Sequence, residues 1–143
     1  TISNLRKHQR REFYRFSCIL NMSSRELVEE ELSAIEQNKQ YIQAGLPLRQ
    51  SVVVDISGGG IRFVSDYKYE NGTLIYLTYN LSSEKISKTY NLLGKILSVK
   101  ESENRKGTYE HRVQYVNIDN QQREEIIRYI FEEERKNRQR KNG

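Results

Sequence analysis

Ser51-Val52-Val53-Val54-Asp55-Ile56-Ser57-Gly58-Gly59-Gly60-Ile61-Arg62-Phe63-Val64 is a β-branched run, a glycine turn and a second apolar run in direct succession. Branched side chains suit a pleated, half-buried surface, and glycines punctuate it, so the stretch reads as two strands about a turn. Upstream, Tyr14, Phe16, Cys18, Leu20 and Met22 share one face, while Arg15, Ser17 and Asn21 share the other, with Ile19 the one apolar exception. That alternation predicts another half-buried strand. Downstream, Asn71-Gly72 is a hairpin signal between this unit and a strand over Thr73–Asn80. Lys88–Lys100 reads as a long strand, Asn104–Gly107 as a turn, and Tyr109–Ile118 as the strand pairing back from it. Several strands at short spacing, without intervening helices, predict a mainly β fold: an antiparallel sheet closed into a small barrel with helices outside.

Two helices are expected. Ser23 followed by Glu26 has the form of a capping box, Val28, Leu32, Ile35 and Ile42 recur at helical spacing, and Gly45 and Pro47 end the segment, giving an extra helix near 24–43. Asp119 begins a C-terminal helix with an apolar stripe of Ile126, Ile127, Ile130 and Phe131. The chain of 143 residues fits one domain, divided into a flexible basic arm over 1–12 and a barrel with helix and basic tail over 13–143. The net charge of +5 gathers at the two ends, which suits an anionic partner there. Cys18, the one cysteine, has no internal disulfide partner and sits in an apolar alternation, so it reads as a small core residue. No apolar run reaches the roughly 20 residues of a membrane span, and no signal-peptide pattern is present, so the expected location is cytoplasmic. The chain begins at Thr1, leaving room for an upstream region.

The chemistry concentrates in two segments. Arg10-Arg11-Glu12-Phe13-Tyr14-Arg15 presents guanidinium groups, with Arg11 and Arg15 on one side of an extended arm, roughly 13 Å apart at ~3.3 Å per residue. A guanidinium meets a phosphodiester with two parallel N–H donors, and the same fork fits the O6 and N7 edge of guanine. In the second segment, Asp55 can accept from the N1–H and exocyclic amine of guanine, and Ser57 can donate to a phosphate. Gly58, Gly59 and Gly60 imply positive backbone angles, close approach to the main chain, or both. The plainer readings are a solvated basic arm and a tight turn that Asp55 and Ser57 cap for themselves. The glycines do not open a helix, and no P-loop lysine follows them, so nucleotide hydrolysis is unsupported.

Together these segments resemble the PilZ family of cyclic di-GMP receptors. Arg11 to Arg15 fits R-x-x-x-R with Arg10 completing a double arginine, and Asp55 to Gly60 fits D/N-x-S-x-x-G at every position. The order of arm, strand, longer gap, glycine turn, strands and C-terminal helix agrees from Arg10 to about Arg140. The ending Val113-Gln114-Tyr115 with Glu124 to Arg135 is most similar to the C-terminal domain of YcgR-type flagellar brakes. The resemblance implies a six- to seven-stranded antiparallel barrel binding cyclic di-GMP between arm and barrel. Arg10, Arg11 and Arg15 would grip phosphates and guanine, Asp55 and Ser57 would read guanine, and Gly58, Gly59 and Gly60 would form the turn, Gly60 letting the backbone pack on the ligand. It further implies a bacterial second-messenger receptor acting on a protein partner such as a flagellar motor component, with polysaccharide synthesis or pilus function behind it. The segment from Ser23 to Gly45 departs from the family, which usually has a shorter connection there.

Enzymatic function is not expected. His8 and His111 lack companions with catalytic or metal-ligand spacing, and the glutamate runs 29–31 and 132–134 read as solvated helix faces. No cofactor or metal is implied. The alternatives are a PilZ-like docking module that has lost its ligand and a barrel binding single-stranded nucleic acid, for which the pI of 9.3 and the tyrosines would suit phosphates and bases. Most tyrosines, however, fall within strand alternations and are explained by packing.

Overall fold

The computed structural model describes residues 14–84 and 87–142, the side chains of 140–142 excepted. The elements are β1 (Phe16–Glu26), α1 (Glu29–Glu36), β2 (Arg49–Ile56), β3 (Gly60–Ser65), β4 (Leu74–Ser82), β5 (Ser87–Glu101), β6 (Tyr109–Val116) and α2 (Asn120–Asn142). Six antiparallel strands close in the order β1-β2-β3-β6-β5-β4, the barrel foreseen from strand spacing. Alternate residues point inward. Met22, Val53, Ile56, Phe63, Ile75, Leu77, Tyr90 and Ile96 fill the interior, and Ile126, Tyr129 and Ile130 of α2 join the same core. The ladder between β1 and β4 begins only at Met22. Phe16, Cys18 and Leu20, before that point, pack against the core that α2 completes. Asp119 caps α2, its Oδ1 accepting from the Gln121 N–H at 3.3 Å.

Two expectations are corrected. The hairpin signal at Asn71-Gly72 marks a turn, with Gly72 at φ 85°, but β3 and β4 are not partners. β3 pairs with β2 and β6, and β4 with β1 and β5, so the turn lies in a crossover from one side of the barrel to the other. The extra helix near 24–43 shrinks to Glu29–Glu36, because Ser24, Arg25 and Glu26 belong to β1 and ladder with Leu77, Tyr76 and Ile75.

A buried ion pair accounts for that second difference. Arg25 and Glu31, both buried, pair at 2.6 and 2.7 Å through two parallel contacts. Glu31 also accepts from the N–H groups of Val28 and Gln43, while Arg25 donates to the carbonyls of Glu26 and Gln43. A buried carboxylate and guanidinium persist only with their bonding capacity filled, and these two fill it by closing the 28–43 segment over β1. Glu31 is therefore not on a solvated face, although Glu29 and Glu30 are.

Candidate functional site

The site begins with an interruption in β2. Val53 and Ile56 are both fully buried although three residues apart, because the register with β3 shifts between Val53 and Asp55. Regular alternation would send Asp55 into the core with Ser51 and Val53. The irregularity instead sets it beside Arg62, its register partner on β3, as bulges re-aim side chains elsewhere. The Arg62 Nε lies 2.8 Å from Asp55 Oδ2, and its Nη1 donates to Glu110 Oε1 at 2.7 Å. One guanidinium thus bridges two carboxylates from β2 and β6.

The glycine turn follows. The Ser57 hydroxyl accepts from the N–H groups of Gly59 and Gly60 and lies 3.2 Å from the Gly60 carbonyl, to which it donates. The plainer expectation for Ser57, a residue capping its own turn, therefore holds in this structure. The Gly59 carbonyl accepts from the Tyr115 N–H at 3.0 Å, and the Gly58 carbonyl from Arg123 Nε of α2 at 3.1 Å. With contacts from β6 and α2 as well as from within, the turn is held in place before anything binds.

Of the two explanations offered for the glycines, close approach is correct at Gly60 and positive φ is not. The left-handed glycines among the described residues are Gly45, Gly72 and Gly107. A Cβ on Gly60 would lie 3.0 Å from the Val113 carbonyl carbon and overlap its oxygen. What approaches Gly60 is the β6 backbone.

Arg15, Asp55, Ser57, Gly59 and Gly60 line one shallow cavity of about 230 Å³ on the outer wall of the barrel. Gly58 does not line it. Arg10 and Arg11 lie outside the described residues, as does the arm over 1–12. The same wall contains Arg62, Leu97, Arg112 and Gln114, which sequence reasoning missed. Arg62, Arg112 and Gln114 occupy the outward positions of alternations whose inward members are Ile61, Phe63, His111, Val113 and Tyr115, so their exposure was readable. Their convergence depends on the β3–β6 pairing, which no local pattern announces. Three guanidinium groups against the carboxylates of Asp55 and Glu110 leave the wall net positive, as an anionic ligand requires.

The other titratable groups nearby are structural. Burial pushes the Cys18 thiol up to about 12, with the Asp55 charge adding to it, so the sulfur stays protonated. His111 is fully buried, stacks on Phe63 at 4.5 Å and accepts from the Tyr69 N–H through Nε2. Burial holds its imidazole below the usual histidine range. A larger cavity, about 660 Å³, lies between α1, the following loop and the start of α2. It contains Lys39 and Asp119 but none of the converging arginines, so volume alone does not locate the chemistry. Among the described residues no helix is long and apolar enough to cross a membrane.

A protein-family model described as the PilZ domain matches residues 6–132. No curated protein matches the chain. Among solved structures, the Bacillus subtilis inhibitor of motility MotI/DgrA is similar at 16% identity and TM-score 0.66, over 88% of this chain and 51% of that one. YcgR from Escherichia coli in complex with c-di-GMP is similar at 16% identity and TM-score 0.66, over 93% and 50%. The PilZ domain of that protein with c-di-GMP gives 15% identity and TM-score 0.61, over 94% and 98%. The chain thus spans about half the length of the first two proteins.

Proposed function

Since this chain belongs to the PilZ domain family, we propose that it is a non-catalytic receptor domain for cyclic di-GMP. The observation that carries this reading is the meeting of Arg15 with Asp55, Ser57 and Gly60 in one wall, from segments some forty residues apart. In this reading Asp55 accepts from the N1–H and amino group of one guanine with the lone pairs Arg62 leaves free. Arg15, with Arg10 and Arg11, supplies planar donors to the phosphates. The Ser57 hydroxyl reaches the ligand by exchanging its bond to the Gly60 carbonyl.

The described wall, about 230 Å³, is smaller than the ~300 Å³ lower bound of common ligand clefts, so a second surface is needed. The arm over 1–12 supplies it, folding onto the barrel as the ligand phosphates neutralise its arginines. That ordering relays the signal, reorienting whatever precedes the arm or exposing a partner surface. A bacterial, cytoplasmic setting and an output on flagellar motility, through a motor component, follow by analogy with an inhibitor of motility of the same fold. A receptor rather than a catalyst is favoured because Ser57 is engaged by its own turn and His111 is confined to the core.

Isothermal titration of cyclic di-GMP tests the reading, with GTP, cyclic di-AMP and an Arg15→Ala variant alongside. Selective binding, lost in the variant, is expected. No binding at high micromolar ligand would reject the receptor reading in favour of a docking module or a nucleic-acid binder. Amide exchange in the arm that does not change at saturation would reject the ordering mechanism alone.

A further inference from the structure

Arg112 is the register partner of Arg62 across the β3–β6 ladder, and like charges directly opposite one another on a sheet are unfavourable. The structure treats the two differently. Arg62 is bracketed by Asp55 and Glu110, whereas Arg112 is exposed and has no hydrogen bond or ion pair among the described residues. It nonetheless lines the same wall as Arg15, Asp55, Ser57 and Gly60. Gln114, two residues on, shares its outward face about 7 Å away and is the register partner of Gly60. With Arg62 ion-paired to two carboxylates, Arg112 is the strand-borne guanidinium of this wall without a carboxylate partner among the described residues, open to something arriving from solvent.

We propose that Arg112 is a ligand-contacting residue of this site, holding a phosphodiester of the bound dinucleotide from β6. The inference rests on the receptor reading above and extends it. Arg62 has a different part: paired to Asp55 and Glu110, it positions Asp55.

The test is isothermal titration of cyclic di-GMP into the full chain, comparing wild type with Arg112→Ala and Arg112→Lys, and with Arg128→Ala as an exposed control on α2. Because the Arg112 side chain makes no bond among the described residues, the variants should fold and melt like wild type, which circular dichroism checks. The expected result is a tenfold to hundredfold weaker affinity for Arg112→Ala, the size of one lost charge-assisted contact. Arg112→Lys should recover part of it, and Arg128→Ala should be unchanged. Wild type that binds together with Arg112→Ala within twofold of it would overturn the inference and leave the receptor reading standing. Wild type that fails to bind would overturn both.

Discussion

Gly60→Ala is the substitution whose cost the backbone sets most directly. The added methyl would stand 3.0 Å from the Val113 carbonyl carbon, 3.1 Å from Gln114 Cα, and inside the contact radius of the Val113 oxygen. Carbon–oxygen contacts settle near 3.3 Å or beyond, so β3 and β6 must part by on the order of 1 Å. No side chain can swing away, because every atom named is main chain or bonded directly to it. Parting the strands there stretches the 3.0 Å bond from the Tyr115 N–H to the Gly59 carbonyl and disturbs the Ser57 hydroxyl that caps Gly60. Overpacking costs roughly 1–3 kcal/mol and each weakened hydrogen bond about 1, against a gain of up to ~1 from reduced unfolded-state entropy. The net loss is about 3 kcal/mol, or roughly 10 °C in Tm for a domain of this size. Thermal denaturation followed by circular dichroism measures it. Gly107→Ala is the control: its φ is +81° but nothing lies within 4 Å, so it should lose only about 1 kcal/mol. A Gly60→Ala protein melting within 2 °C of wild type would refute the argument. Loss of ligand binding in that variant should accompany the displaced turn, and is not evidence that Gly60 itself touches ligand.

Other expectations concern the polar interior. The Tyr79 and Tyr115 hydroxyls meet at 2.6 Å in the core, so Tyr115→Phe should cost about 1–3 kcal/mol by orphaning its partner, and the double Phe variant should be nearer to wild type, which denaturant titration resolves. The Glu31 carboxyl is held at about 2 by its bonds to Arg25 against a reference of 4.5. A depressed folded-state value means this stabilisation is fully present above about pH 4.5 and disappears as pH falls through 2, a contribution of about 3 kcal/mol that Glu31→Gln should remove from the acid-unfolding profile. Ser57→Ala should speed amide exchange at Gly59 and Gly60 and lower ligand affinity about tenfold. Unchanged exchange would show that the hydroxyl does not hold the turn.

What the sequence disclosed was local. The alternation from Phe16 to Met22, the glycine break before β3 and the Asp119 cap each depend on neighbouring residues, and each appears in the structure. Tyr14, by contrast, lies before β1 and is half exposed rather than sharing its inner face. The misreadings came from partners distant in the chain. Asn71-Gly72 has the chemistry of a hairpin turn, but which strands it joins is decided by β6 taking the place beside β3. Ser23 and Glu26 matched a helix start, yet Arg25 needed Glu31 inside the structure, and a buried arginine looks like any surface arginine in a sequence. The site divides the same way. Arg15, Asp55, Ser57 and Gly60 were visible as motif residues, while Arg62 and Arg112 became neighbours only once β3 and β6 paired.

Closure of the barrel has a consequence for how this domain can meet other molecules. A strand with neighbours on both sides offers no free row of main-chain donors and acceptors, and here the ring returns from β4 to β1. Among the described residues, stretches that ladder on one side only include Phe16–Asn21 of β1, which follows Tyr14 with its hydroxyl tied to Glu134 of α2, and Ser87–Leu92 of β5. Another chain can therefore extend the sheet only along such short stretches, not along a whole edge strand. Recognition over the rest of the barrel passes through side chains and surface shape, so single-residue substitutions on the outer faces map a partner's footprint there.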